Sequence, residues 1–518
     1  EIHERLVGSE MCIRDSGTSD NNILKVPSGD NAIFTITASD GYTLDIESQT
    51  CEGILNSSTG IYTINNITEN KECNLTLKQG NLDTSGANSP DLVDGLIPVM
   101  YNGSKWVKAD SSNSNETYKW YDYDNKLWAN AVLVTSTNRN TYMAAIPGRE
   151  IAESDILAYY VWIPRYKYKV WNINKVMGTD TYNAQTTGVD IVFENEKEST
   201  GTISCTYSYA APSANAGSPN ETCTGSNGDY YTHPAFTFGS DNVRGFWMGK
   251  FELTGSSSEL TILPSVYALR NMFLSAYNTS VQNMQKADNI YGLNTSRLNT
   301  DSHIITNMEW GAAAYLTHSK YGRCTNGSCT TVSINNCSYC KTGVGARNGN
   351  ESNSTTTCTS SANQYNETIG ILASTTSNIT GIYDMSGGCY EYVMGNVSNT
   401  YDSYVFSGGG SAFSNDWYND NNLKYLTPYA YAHDYEGQTA YNRSRLGDAT
   451  GEVILNASAT WYVQEATFAY SSKPWFGRSG NCEDSTHAGI FSFNNILYGM
   501  SAGLYTSRAV LVLSLIHI

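Results

Sequence analysis

The stretch of residues 381–393, GIYDMSGGCYEYV, constrains the fold most strongly, because it sets two acids in an otherwise apolar and glycine-rich context. Its glycines favour a tight turn between two short apolar segments. Asp384 and Glu391 lie on either side of that turn, with free backbone carbonyls between them. Calcium takes several carboxylate and carbonyl oxygens as ligands. The stretch is therefore a candidate calcium site, and a tight turn with two solvated acids is the alternative.

The two ends of the chain have the sequence of translated sequencing adapters. Residues 11–16, MCIRDS, and 513–518, LSLIHI, match the two strands of a transposon end, and residues 5–10, RLVGSE, match the adapter that precedes it. We therefore expect residues 1–16 and 513–518 to lie outside the folded protein. We also expect the natural start, with any signal or anchor, to be missing.

Charge and hydropathy exclude two classes of partner. The net charge is −18, with only 31 lysines and arginines. Binding to a nucleic-acid backbone needs clustered positive charge, so no nucleic-acid partner is expected. No stretch approaches the ~18 consecutive apolar residues of a membrane helix.

The spacing of the cysteines predicts disulfides. Cys51 with Cys73, and Cys205 with Cys223, each bracket a short polar β-like segment. Five more cysteines cluster in a polar segment: Cys324, Cys329, Cys337, Cys340 and Cys358. Disulfides of an oxidising, extracellular compartment are favoured there, and a zinc site is the alternative. Without Cys12 the number of cysteines is odd, so one thiol is left over, and Cys389 and Cys482 are the candidates.

Upstream of residue 230 the chain reads as β-rich modules. Residues 17–79 alternate apolar and polar side chains and resemble bacterial Ig-like or β-grasp surface repeats. Residues 80–90 have the composition of a linker. Residues 91–229 resemble an ectodomain of Firmicutes surface proteins, and Pro164 predicts that their longest strand lies at a sheet edge or a bulge. Their aromatic side chains are predicted to be core residues, with a sugar-binding platform as the alternative.

Residues 230–512 carry an ordered series of motifs that resembles the formylglycine-generating-enzyme/sulfatase-modifying-factor family, a branch of the C-type-lectin fold. The motifs are GFWMGKFELT (245–254), HIITNMEWGAAAYLTHSKYG (303–322), GIYDMSGGCYEYV (381–393), FSGGGSA (406–412) and the closing segment (474–511). The resemblance implies an α+β domain of C-type-lectin fold, with two helices and a twisted antiparallel sheet. Ig-like or β-sandwich-type modules would precede it.

The resemblance also bears on catalysis and metals. The family's reaction needs two closing-segment cysteines that hold copper, and this chain has Cys482 alone, so neither a copper site nor a catalytic residue is expected. No G-x-S-x-G elbow, H-E-x-x-H or phosphate loop is present. His303, His318, His433 and His487 lack metal-ligand spacing and are predicted to be packing or surface residues. By resemblance, a structural calcium would be held by Asp384, Gly387, Cys389 and Glu391.

The closing segment further resembles the variable region of proteins diversified by retroelements. That resemblance implies exposed, changeable, ligand-binding positions at Cys482, Asp484, Thr486, His487, Ile496, Leu497, Tyr498, Met500, Leu504 and Tyr505. TSR in place of GFR, and RSG in place of RGG, depart from its scaffold pattern.

Together these features predict a bacterial cell-surface or extracellular ligand-binding or adhesion protein. Its ligand would be a glycan, a protein or a phage component. A pilus-associated subunit attached to the cell envelope and a formylglycine-generating-type oxidoreductase are the alternatives.

Overall fold

The computed structural model describes residues 2–7, 11–15, 18–20, 23–38, 42–44, 50–56, 61–79, 81–93, 95–210, 219–286, 289–293, 299–345, 363–406, 408, 410–433, 438–495 and 498–514. The chain forms two compact units. The first comprises Glu1–Leu82 with Asp110–Lys119, and the second comprises Asp83–Ala109 with Trp120–Ile518.

The first unit consists of two small sheets. Its strands are β1 (Ile2–Val7), β2 (Met11–Asp15), β3 (Thr18–Asp20), β4 (Ile23–Lys25), β5 (Ala32–Ala38), β6 (Tyr42–Leu44), β7 (Ile54–Asn56), β8 (Ile61–Ile64) and β9 (Lys71–Gln79). The sheet orders are β3-β4-β1-β9-β6 and β2-β5-β8-β7. Alternate residues of β5 and β8, Phe34 and Tyr62 among them, are buried, as their period-two pattern predicts. β1, β2 and the end of β34 pair within sheets, so the expectation that residues 1–16 and 513–518 lie outside the fold is not met for their described parts. The adapter origin of these residues stays a prediction.

The second unit is β-rich with five helices among its described residues. The helices are α1 (Ser136–Ala144), α2 (Ala184–Thr187), α3 (Leu274–Asn283), α4 (Asn307–Thr317) and α5 (Gln438–Tyr441). Its first strands are β10 (Ile97–Tyr101), β11 (Trp106–Lys108), β12 (Asn130–Val134), β13 (Ile156–Pro164), β14 (Tyr166–Lys169), β15 (Ile191–Phe193), β16 (Ser204–Tyr207), β17 (Glu221–Thr224) and β18 (Tyr230–Thr232). Next come β19 (Thr237–Phe238), β20 (Asp241–Asn242), β21 (Gly245–Gly249), β22 (Thr254–Gly255), β23 (Leu260–Thr261), β24 (Asn299–Ile304), β25 (Cys324–Thr325) and β26 (Ser328–Cys329). The last are β27 (Tyr390–Val397), β28 (Thr427–Tyr429), β29 (Ile454–Asn456), β30 (Ala459–Thr460), β31 (Trp475–Ser479), β32 (Gly489–Asn494), β33 (Tyr505–Ser507) and β34 (Ala509–Ser514).

A seven-stranded sheet of order β11-β10-β12-β13-β21-β34-β24 is the larger of the two main layers. It joins strands from residues 91–229 to strands from residues 230–512, and both segments, except for Asp110–Lys119, belong to the second unit. β13 is an interior strand, so the prediction of an edge from Pro164 is wrong, and the register shift that β13 does contain falls at Leu157, away from Pro164. Pro164 is the last residue of that strand, opposite Gly245, where the chain leaves the sheet and no further ladder N–H is needed.

A second sheet of order β28-β27-β31-β32, with β33 also paired to β27, carries the closing segment. The predicted sheet is antiparallel, but β27 runs parallel to β28 and to β33, so this layer is mixed. α4 is buried on all sides, and a capping box of Thr306 and Glu309 begins it. A Cβ at Gly311 would lie 1.9 Å from the Gly447 carbonyl oxygen, so only glycine allows that close approach.

Aromatic side chains fill the interior of the second unit. Five tryptophans from residues 91–229 are at most 3% exposed: Trp106, Trp120, Trp128, Trp162 and Trp171. Their predicted role as core residues is confirmed, and as buried rings they cannot form a sugar-binding platform. Among the described residues, none of the helices has the length and apolar character needed to span a membrane.

The described cysteines follow the disulfide prediction. Cys51–Cys73 and Cys205–Cys223 are bonded as predicted, and Cys324–Cys329 and Cys340–Cys389 form two more bridges. Cys337 is also disulfide-bonded, and Cys358 lies outside the described residues. These bonds use the thiols that the zinc alternative required, and they suit an oxidising compartment. Cys389 is therefore not the free thiol; among the described residues that is Cys482.

We expect the Cys340–Cys389 bridge to be a main stabilising cross-link, because it closes a loop of sequence separation 49 around the central turn. The double substitution C340S/C389S should lower the free energy of unfolding by about 3–4 kcal/mol in urea titrations. C482A, at the buried free thiol, is the control and should cost less. A double variant as stable as the unchanged protein would contradict this role.

Candidate metal centre and binding face

The glycine-rich turn is built by close backbone approach. Asp384, Gly387 and Gly388 all have positive φ, of 64°, 78° and 77°. A Cβ at Gly387 would lie 2.4 Å from the Asn335 carbonyl oxygen, and one at Gly388 would lie 2.4 Å from Glu252 Oε1. Only glycine fits these two positions, because a larger side chain would clash with the neighbouring oxygen and would strain the positive φ.

Both acids of the turn are buried, so the alternative of two solvated carboxylates is wrong. Asp384 Oδ1 accepts hydrogen bonds from Asn335 Nδ2 at 2.8 Å and from the Gly343 N–H at 2.9 Å. Glu391 forms a two-pronged ion pair with Arg508, in which Nε donates to Oε2 at 2.8 Å and Nη2 donates to Oε1. Burial raises the pKa of Glu391 to about 7, although Arg508 beside it acts in the opposite direction.

A third buried acid, Glu252, joins this cluster and was missed from the sequence. Its Oε1 accepts a hydrogen bond of 2.7 Å from the Cys389 N–H, while Oε2 is buried without a hydrogen-bond partner in the described part of the chain. Burial raises its pKa well above the ordinary value, and the charges of Asp384 and Glu391 raise it further. The available signal was an acid at the end of an apolar strand, within GFWMGKFELT.

The balance of charge in this acid cluster, Glu252, Asp384 and Glu391, favours a cation. Three carboxylates face one guanidinium, that of Arg508, so the ionised cluster carries an excess of two negative charges. Protons or a divalent cation can neutralise that excess. The unpartnered oxygen of Glu252 is of the hard type that calcium takes, so the donor chemistry fits the ion.

The predicted calcium ligands differ in how free their oxygens are. Both oxygens of Glu391 accept bonds from Arg508, and the Cys389 carbonyl accepts one of 2.8 Å from Ser479 Oγ. Gly387 contributes a backbone carbonyl only. The assignment of Asp384, Gly387, Cys389 and Glu391 as ligands stays a prediction, to which the geometry adds Glu252.

The predicted binding positions of the closing segment divide by burial. Thr486, His487 and Met500 are exposed, and Asp484, Tyr498 and Leu504 are half-buried. Cys482 and Tyr505 are 3% and 2% exposed, so the expectation that they are surface positions is wrong. Ile496 and Leu497 lie outside the described residues.

The two buried positions have structural partners. The Tyr505 ring packs 4.9 Å from Tyr390 and 4.6 Å from Tyr392. The Cys482 N–H donates to the Gly388 carbonyl at 2.8 Å, which ties the closing segment to the turn. Burial raises the pKa of the Cys482 thiol to about 11, so the thiol stays protonated at neutral pH.

In the part of the chain that the structure describes, the remaining candidate ligands do not assemble a further metal site. His318 lies near Cys324 and Cys329, and Glu221 lies near Cys205 and Cys223, but all four cysteines are disulfide-bonded. His303 and His318 are buried, and His433 and His487 are exposed, as packing and surface histidines would be. A scan of protein families and a search of curated proteins found no match to this chain.

The acid cluster predicts a pH- and calcium-dependent stability. Above about pH 4.5 the unfolded chain loses protons that folded Glu252 and Glu391 keep, so in EDTA the free energy of unfolding should fall as pH rises. The fall should continue to about pH 7, where folded Glu391 ionises, and amount to about 3 kcal/mol for that group. Excess calcium should restore most of the loss, measured by urea unfolding between pH 5 and 8.

The variant E252Q separates this effect from general charge. It should lower both the pH-dependent loss and the stabilisation by calcium. E150Q is the matched control, because Glu150 is exposed and paired with Lys105 at the surface. Calcium stabilisation that is equal in E252Q and the unchanged protein would rule out this site.

Any substitution of Arg508 that removes its planar guanidinium group should destabilise the folded protein. R508K keeps the charge but cannot satisfy both oxygens of Glu391 together with the carbonyls of Gly249 and Tyr383. We expect it to lower the free energy of unfolding by about 3 kcal/mol or more, measured by urea titration. R149K, at an exposed arginine, should change little. Equal stability of the two variants would contradict the role given to Arg508.

Proposed function

We propose that the protein is a bacterial extracellular or cell-surface binding protein that presents ligand-binding loops on a non-catalytic frame of C-type-lectin fold. The observation that carries the proposal is the sharp contrast within the closing segment. β31 and β32 are buried along their whole lengths, whereas the turns that follow them expose Thr486, His487 and Met500. A rigid frame with exposed loops is the usual architecture of a binding site placed on loops.

Three packed tyrosines of the frame contact both exposed loops, the first of which follows β31 and the second β32. The ring of Tyr505 in β33 packs against the rings of Tyr390 and Tyr392 in β27, with centroid distances of 4.9 Å and 4.6 Å. Burial and the nearby Asp484 carboxylate of the first loop raise the pKa of the Tyr390 hydroxyl, and the Tyr392 hydroxyl donates to the Met500 carbonyl of the second loop at 2.9 Å. The two loops are therefore fixed by one element, and their exposed side chains can act on one ligand.

The two departures from the retroelement pattern fall at buried scaffold positions that have local partners. Ser507 donates a hydrogen bond of 2.9 Å to the Tyr392 carbonyl. Ser479 has φ of 72° and donates to the Cys389 carbonyl. Both serines thus bind the central strand or its turn, which supports a scaffold that has adapted while its loops stayed free to change.

The state of Cys482 supports binding over the alternative of formylglycine-type oxidation. A buried thiol whose pKa is raised to about 11 is a poor nucleophile, since the thiolate is the reactive form. Four disulfides in the described chain suit the extracellular placement. The calcium proposed above would stabilise the turn that supports the frame.

Sequencing the closing segment across the population that carries this gene tests the proposal. A diversified binding protein should vary at Asp484, Thr486, His487, Tyr498 and Met500. Buried positions, Cys482 and Tyr505 included, should stay constant because substitutions there cost packing. A uniform segment would favour a fixed adhesin or a pilus-associated subunit. Variation that is equal at buried and exposed positions would contradict the frame-and-loop proposal.

A further inference from the structure

A cavity of about 1090 Å³ opens on the second unit, apart from the acid cluster. Its walls come from the segment 234–240, the end of α3, the first turn of α4, the segment 420–427 and Arg445. Its volume is at the upper end of the range of ligand sites, ~300–1,000 Å³. The sequence predicted no binding role for these segments.

The walls are amide-rich and cationic. The amide side chains are Gln282, Asn283, Gln285, Asn421 and Asn422, and the cations are Lys286, Lys424 and Arg445. Two acids, Glu309 and Asp420, also line the cavity, so its wall carries a small positive excess in a chain of net charge −18. Amides both donate and accept hydrogen bonds, which suits a ligand that carries many hydroxyl groups.

Two of the five charged side chains at the cavity, Lys424 and Glu309, are already neutralised by the protein. Lys424 Nζ lies 2.7 Å from Asp301 Oδ2. Glu309 lies 3.0 Å from His303 Nε2, and the two carboxylates beside His303 raise its pKa to about 9 against the effect of burial. These pairs are structural, so they leave little charge for a ligand.

Arg445, unlike Lys424 and Glu309, is not paired with an opposite charge in the described chain. Within the described ranges it has no ion pair, and its Nε is buried without a hydrogen-bond partner. Its guanidinium lies over the Tyr207 ring, 5.0 Å from the centroid, and its backbone N–H is fixed by Asp448 Oδ2 at 2.9 Å. Buried Nε atoms without a hydrogen-bond partner also occur at Arg139, Arg244, Arg323 and Arg478, so the terminal nitrogens of Arg445 matter more here. They make no hydrogen bond to a described residue, and an anionic oxygen in the cavity would pair with their charge. The planar fork of arginine matches a carboxylate or sulfate.

A row of aromatic rings extends from Arg445 along the surface. Its members are Tyr207, Tyr209, Tyr404 and Tyr418, and the distances between successive ring centroids are 5.4 Å, 5.8 Å and 4.7 Å. All four rings are half-buried or exposed, and Tyr209 is 37% exposed. The row returns to the cavity wall, because Asn422 Nδ2 donates to the neighbouring Trp417 carbonyl at 2.7 Å. Aromatic faces pack against the apolar C–H faces of sugars. The hydroxyls of Tyr207 and Tyr404 donate to the Arg443 carbonyl and to Asn396 Oδ1, which fixes these two rings.

We propose that this cavity and the tyrosine row bind an anionic oligosaccharide, with its acidic group on Arg445 and its sugar rings on the row from Tyr207 to Tyr418. A peptide ligand would need an apolar pocket or an open sheet edge, and these walls offer amides and cations instead. The site goes beyond the closing-segment face and names a ligand class. Its test is separate from the sequencing test, so either proposal can fail alone.

Isothermal titration of the full chain tests the proposal with four probes: an oligogalacturonate, a dextran sulfate oligomer, neutral dextran and poly-glutamate. We expect binding of the oligogalacturonate or the dextran sulfate. The preferred one identifies the acidic group as a carboxylate or a sulfate ester. Neutral dextran and poly-glutamate should bind at least about tenfold more weakly, because each lacks either the charge or the sugar.

Two variants locate the site. R445Q should weaken binding about tenfold or more, and Y209A, which leaves the cavity intact, about three- to tenfold. R149Q, at an exposed arginine outside the cavity, is the control and should bind normally. If R445Q does not fold, Y209A and K286Q still decide the result. No binding of either anionic glycan, equal binding of poly-glutamate, or normal binding by Y209A and K286Q would overturn the proposal.

Discussion

The guanidinium of Arg508 is the interaction on which the second unit depends, because it joins its two main sheets. Arg508 directly precedes β34 of the seven-stranded sheet, and its Nη1 donates to the carbonyl of Gly249, the last residue of β21, at 2.8 Å. On the other side it binds Glu391 of β27 and the carbonyl of Tyr383 in the glycine-rich turn. One side chain thus fixes the spacing between a sheet, a turn and a second sheet. A buried charge with this many partners specifies one arrangement, since any shift leaves several groups unsatisfied.

The excess negative charge around Arg508 would link the stability of the second unit to the proposed binding of a ligand by its loops. Glu252 and Asp384 make the cluster more negative than one arginine can balance, so the folded state needs protons or a cation there. The same turn supports the closing segment through the bond from Cys482 to Gly388. A change in the charge state of the cluster therefore acts on the elements that hold the exposed loops. Calcium binding at a distance from the loops would stiffen them without contacting the ligand.

Local patterns predicted much of this fold, and long-range partners account for what they missed. Alternation predicted strands such as β5 and β8, and short spacing predicted the bridges Cys51–Cys73 and Cys205–Cys223. The carboxylates of the turn were identified from their own motif. Glu252 was not, because its partner Cys389 lies 137 residues away. Pro164 was misplaced for a similar reason: the sheet continues through Gly245, and no local rule shows that partner.

The arginines of the second unit differ in whether the protein itself binds their guanidinium groups. Arg165, Arg443, Arg478 and Arg508 are fully buried, and each donates to backbone carbonyls or acids that hold the fold together. Arg478, for example, donates to the carbonyl of Ala449 and lies 5.6 Å from the Trp310 ring centroid. Arg445 resembles them in its fixed backbone and its aromatic neighbour, and its Nε lacks a partner in the described chain as that of Arg478 does. It differs in that no hydrogen bond joins its guanidinium to a described residue and in that it lines a cavity, which a bound ligand explains better than the fold does.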